Sequence, residues 1–226
     1  MQIVLVNRFL SFFFILFTTT TVAMTSENKN DLVDLQSFDK DIIVDLWLSR
    51  IDHPDNYTGE KLYPSNRAFM CKQAAVALAK VQKEIFTPMG LHLFIYDAYR
   101  PYAVQLRLWE FCSDPQYVAD PKKGSKHNRG AAVDLWLARI KNEGGKEVYE
   151  VLPKPTGKKG YGSHCHRDYT TMEIEEGKIV CRLLELAMEK NGFKGLPSER
   201  WHFDFGDEAL YEKLAILDIP LNKLKS

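Results

Sequence analysis

The sequence predicts an α+β domain, a small antiparallel sheet with flanking helices. Three observations carry that expectation. The stretches "LHLFIYDAY" (91–99), "AAVDLWL" (131–137) and "RWHFDF" (200–205) are apolar or alternating at strand length. "RAFMCKQAAVALAKVQKEIF" (67–86) and "KIVCRLLELAMEK" (178–190) have the apolar period of amphipathic helices. These elements do not follow a repeating βαβ rhythm, which argues against a parallel α/β sheet.

In chain order, Arg8 precedes an apolar block from Phe9 to Phe17, and small residues follow up to Ala23. That layout reads as a secretory signal peptide over 1–23, and the block is shorter than the roughly 20 residues of a membrane span. The expected location is exported, periplasmic or secreted, with no stable membrane insertion after cleavage. Residues 24–40 are polar and read as a linker, leaving 41–226 as one domain. "DIIVDLWL" (41–48) reads as a strand and "DNYTGEKLYP" (55–64) as a loop. After the strand at 91–99, Pro101 suits the first turn of a helix through "YAVQLRLWEF". The strand at 131–137 leads into a polar, glycine-containing stretch, and the helix at 178–190 ends at Asn191-Gly192, a C-cap pair. In "RWHFDF", Trp201, Phe203 and Phe205 share one face, and His202 and Asp204 the other.

With 226 residues, 45% hydrophobic and 27% charged, the chain can bury one sizeable core. Its 30 basic and 30 acidic residues balance, so charge gives no case for nucleic acid or an anionic membrane as partner. Cys71, Cys112, Cys165 and Cys181 show no C-x-x-C spacing, which argues against a cysteine zinc site. Their pairing is not legible.

An aspartate inside an apolar strand needs a compensating cation, because an unpaired buried charge is costly. Asp134 is such a residue, seven positions after His127. An arginine partner answers the requirement, and so does a metal shared with His127. A catalytic zinc site takes three ligands from His, Asp and Glu and keeps a fourth position open. His127, Asp134 and His202 would supply that set from two strands. Glu199, close to His202 in sequence, would take a proton from the attacking water and pass it to a leaving amine. Arg100 would stabilise an oxyanion, or else secure the start of the helix after Pro101.

"DNYTG" (55–59), "YDAYRP", "SKHNRGAAVDL" and "ERWHF" together resemble the D-alanyl-D-alanine dipeptidases of the VanX type, within the zinc DD-peptidases. The likeness runs in order across nearly the whole chain after residue 23. It implies a zinc metallopeptidase with one Zn²⁺ per chain, His127, Asp134 and His202 as ligands, Glu199 as base and Arg100 as the transition-state arginine. It also implies that Ser125 contacts a small peptide substrate containing D-amino acids. One segment departs from the pattern: where the family has an aspartate that holds the substrate's amino group, "YGSHCH" has His166. Asp168 is the nearest acid, and His164 and His166 are candidates for a second metal site or for substrate-facing residues. Three readings follow. One is a dipeptidase for D-Ala-D-Ala, another a peptidoglycan carboxypeptidase or endopeptidase, and the third a zinc-stabilised module that binds cell-wall peptides without cutting them.

Overall fold

The computed structural model describes residues 30–157 and 162–225; the expected signal peptide lies outside them. The main sheet has six strands, β2 (Ile43–Val44), β4 (His92–Asp97), β5 (Ala132–Glu143), β6 (Lys146–Val151), β7 (Phe193–Leu196) and β8 (Glu199–Phe205). Its order is β2-β4-β5-β8-β7, with β6 paired to β5, and every pairing is antiparallel except β2 with β4. Ala138 pairs with both His92 and Val151, and Asp134 with both Asp97 and His202. So β4 holds one edge of β5, while β8 and β6 divide the other. Val133, Leu135 and Leu137 of β5 face the core with Leu93, Ile95 and Phe203. Helix α4 (Glu175–Glu189) covers that face with Val180, Cys181, Leu184 and Met188, and α2 (Lys72–Val81) packs beside it.

The predicted linker over 24–40 is corrected within its described part. Leu32–Asp34 forms β1 and pairs with β3 (Phe69–Cys71), and the four-residue helix α1 (Leu35–Phe38) follows. Leu32 and Leu35 are buried, and Asp34 pairs with Arg67, so the described part of this segment, from Asn30, belongs to the fold. The same pairing takes Phe69–Cys71 out of the predicted helix at 67–86, which starts only at Lys72 and widens into a π turn at Gln82–Phe86. The predicted strand at 41–48 shrinks to two residues. Beyond Val44 the segment still bonds to the end of β4, Asp45 N donating to Ile95 O and Trp47 N to Tyr96 O, while the Asn66 side chain occupies its outer edge, accepting from Leu46 N and donating to Val44 O.

Helix α3 (Tyr102–Phe111) starts one residue after Pro101. Three further elements were not expected. Gly144-Gly145 turns β5 into β6, β7 precedes β8, and α5 (Glu208–Lys213) follows it under an Asp207 cap. None of the four cysteines forms a disulfide. Among the described residues, no helix is long and apolar enough to cross a membrane.

Candidate metal centre

Asp134 and His202 sit directly opposite each other on β5 and β8, so their side chains leave the same face of the sheet. His127 was expected on a strand and is instead in a one-turn 3₁₀ helix, His127–Arg129, just before β5. Gly130 ends that turn at φ +69°, and a Cβ there would meet Leu32 Cδ2 at 2.4 Å and Cys71 N at 2.9 Å. Only glycine fits. Asn128 ties the turn to its surroundings, accepting from Ser125 N and donating to Arg100 O. Ser125 Oγ accepts from His127 N, a local cap.

His127 Nε2 lies 3.2 Å from His202 Nδ1 and 3.4 Å from Asp134 Oδ1, and His202 Nδ1 lies 2.9 Å from Asp134 Oδ1. Donor atoms about 2.0–2.2 Å from a tetrahedral zinc stand roughly 3.3–3.6 Å from one another. The three buried donors fit one small divalent ion, and they form the one group among the described residues able to hold a metal. His164 and His166 belong to no such group. Burial works to lower the His202 pKa, but hydrogen bonds to Asp134 and Asp204 carry it up to about 10. Burial likewise opposes ionisation of Asp134, yet His127 and His202 hold its carboxyl far below the usual range. A site tuned to keep a carboxylate charged and to draw a proton onto His202 also attracts a cation that can replace that proton.

Glu199 is buried, with Oε2 3.8 Å from His202 Nδ1. Residues three apart on a regular strand face opposite sides. Here the β7–β8 pairing jumps from Gly195–Phe203 to Leu196–Glu199, and that irregularity accompanies the shared side of Glu199 and His202. Burial raises the Glu199 carboxyl to about 8, reinforced by Asp134 and opposed by His202 and Arg100. A buried carboxyl titrating near neutrality can both accept and return a proton.

Arg100 is buried at the edge of the triad, its Nη2 3.9 Å from Asp134 Oδ2. Its Nε and Nη2 donate to Asp97 Oδ2 at 3.0 and 2.7 Å, and Nη1 donates to Gln105 Oε1 at 2.8 Å. Tyr63 donates to the other Asp97 oxygen at 2.6 Å. A register shift between Ile95 and Asp97 re-aims Asp97 at the end of β4. Both readings of Arg100 therefore meet in one place: it borders the triad and it ties β4 to α3.

Sequence reasoning missed Tyr63, Asp97 and Gln105, although Asp97 stands inside the quoted "YDAYRP". It also missed Arg167, whose Nη2 donates to His202 O at 3.0 Å and Glu199 O at 3.3 Å while its guanidinium lies 4.4 Å above the Phe203 ring. Gly195 makes room for it, since a Cβ there would lie 2.6 Å from Arg167 Cζ. No spacing in the sequence announces that contact. Asp168 is exposed, and its carboxylate accepts from Thr170 N and Oγ1. His166 Nε2 is buried and has no hydrogen-bond partner.

A family model described as D-ala-D-ala dipeptidase matches residues 28–146. The chain is 37% identical to the D-alanyl-D-alanine dipeptidase of Escherichia coli (strain K12), over 83% of this chain and 91% of the relative. It is 25% identical to the D-alanyl-D-alanine dipeptidase of Enterococcus faecium, over 72% of this chain and 86% of the relative. A match of this extent settles the membership of a chain that brings two histidines and an aspartate able to hold a metal into one buried site: it belongs to the D-Ala-D-Ala dipeptidase family of metal-dependent peptidases.

Proposed function

We propose that the chain is a zinc enzyme that hydrolyses D-Ala-D-Ala, or a closely similar dipeptide, outside the cytoplasm. The observation that carries the proposal is the convergence of His127 Nε2, Asp134 Oδ1 and His202 Nδ1, with the Glu199 carboxylate beside them. Two imidazoles and one carboxylate favour zinc over magnesium or calcium, which prefer more oxygen ligands. A zinc ion held there supplies the Lewis acidity that makes water nucleophilic at neutral pH. Glu199 removes a proton from the attacking water and delivers it to the amine that leaves when the C–N bond breaks, and two D-alanines result. Arg100 donates to the oxyanion that forms on the carbonyl carbon. Ser125, beside His127, contacts the substrate. Export rests on the sequence of residues 1–23 alone.

One observation favours a second reading, a carboxypeptidase acting on peptidoglycan stem peptides. By the resemblance, His166 stands where the family has an amine-holding aspartate, and the nearest acid, Asp168, is exposed and accepts from Thr170 N and Oγ1. Incubating the zinc-loaded protein separately with D-Ala-D-Ala and with a pentapeptide ending in D-Ala-D-Ala separates the two. The dipeptidase reading predicts D-alanine from the free dipeptide and little from the pentapeptide. The reverse pattern overturns it in favour of the carboxypeptidase.

A further inference from the structure

The two histidines of the triad are oriented differently. His127 presents Nε2 to the site because Nδ1 lies 2.7 Å from the backbone carbonyl of Ala98, which can only accept. That partner fixes the His127 tautomer whatever side chain stands at 98. His202 presents the opposite nitrogen, Nδ1, and its Nε2 lies 2.9 Å from Asp204 Oδ1. Asp204 is two residues further along β8 and opposite Ala132, so it shares the face of His202. Its second oxygen accepts from Lys126 Nζ at 3.0 Å, and that ammonium lies 4.4 Å from the Tyr211 ring centroid. The carboxylate is largely buried between the triad and a cleft of about 300 Å³ lined by Lys126, Lys194, Glu208 and Tyr211 among others.

We infer that Asp204 is a positioning residue for the metal: it holds the His202 proton on Nε2, leaving the Nδ1 lone pair for the ion, and Lys126 holds Asp204 in place. A carboxylate behind a ligating imidazole fixes its tautomer and raises its basicity, and losing such a partner typically weakens metal binding by about 10–100-fold. Two side chains outside the ligand set, on the turn before β5 and at the end of β8, thus govern the affinity of the site. The inference rests on the proposed metal role of His127, Asp134 and His202.

The test is the Zn²⁺ dissociation constant of metal-free full-length protein, measured by competition with a chromophoric chelator. Asp204→Ala is expected to bind about 10–100-fold more weakly than the unaltered chain. Asp204→Asn keeps an acceptor for Nε2 but loses the charge, so it should fall between the two. Glu208→Gln removes the same unit of charge from the exposed wall of the cleft without touching His202, and should change affinity less than about twofold because exposed charge is screened. Far-UV spectra recorded in chelator establish that each variant is folded, and Asp204→Asn against Glu208→Gln carries the test if Asp204→Ala is not. Unaltered protein that binds no Zn²⁺ refutes the metal site itself. Unaltered protein that binds Zn²⁺, with either folded Asp204 variant binding it as tightly, overturns the role of Asp204 alone. So does a Glu208→Gln loss equal to that of Asp204→Asn, since that makes the effect one of charge only.

Discussion

Glu199→Gln lowers kcat by roughly 10²–10⁴-fold while the protein retains its metal, the range typical of losing a positioned proton carrier. Glutamine preserves the volume of the side chain at the start of β8 and removes only the ability to take a proton. His202→Ala, in contrast, loses metal and activity together, because it removes a donor from the triad. The pH profile of the unaltered enzyme carries the same signature. Burial raises the Glu199 carboxyl, so at low pH it is protonated and cannot act as a base. Activity therefore rises with pH as Glu199 ionises, and the positive charge of a bound metal moves that rise below the value of about 8 set by the protein groups alone. Near-normal turnover in Glu199→Gln would remove Glu199 from the proton-transfer role.

Arg100→Ala depresses kcat and kcat/KM together by roughly 10²–10³-fold, the cost of losing one donor to a developing oxyanion. The structure adds a second consequence. Asp97 is fully buried and bonds through one oxygen to the guanidinium, so truncation leaves its charge balanced only by Tyr63 and the Ala98 N–H. Breaking a buried pair on one side typically destabilises by about 3–5 kcal/mol. Lysine rescues little, because a point charge cannot bond Asp97 and Gln105 together as the planar fork does. The two effects separate when kcat is expressed per bound metal and compared with the melting temperature of the same preparation. A lower melting temperature with unchanged kcat per metal would confine Arg100 to holding β4 against α3.

What could be read from the sequence follows from where each element spends its side chains. β4, β5 and β8 each turn an apolar face to the core, so their pattern is visible in "LHLFIYDAY", "AAVDLWL" and "RWHFDF". β6 is largely exposed, leaving no apolar alternation to find, and its hairpin reads as a polar stretch. β1 and β3 are three residues each and exist through their pairing with each other, which no local window contains. The apolar Phe69–Cys71 therefore reads as a continuation of the helix after it. At the site, the residue types and spacings pointed to His127, Asp134, Glu199, His202 and Arg100, and the family resemblance added Ser125; all six are buried and linked through the 125–130 turn and the paired strands. The supports of those residues were hidden. Tyr63, Gln105 and Arg167 reach the site from a loop, a helix and a turn far away in sequence. Asp204 lay in plain view on the face of His202, but only the 2.9 Å contact assigns it a purpose.

If a single metal bound by His127, Asp134 and His202 drives dipeptide hydrolysis, as proposed, activity must follow metal occupancy in a stoichiometric titration. Metal-free protein is titrated with Zn²⁺ while D-alanine release from D-Ala-D-Ala is followed. The expected result is negligible activity without metal, a linear rise to one equivalent per chain and a plateau beyond it, with no rise for His202→Ala. Full activity in the metal-free protein, or an equal rise in His202→Ala, would contradict it.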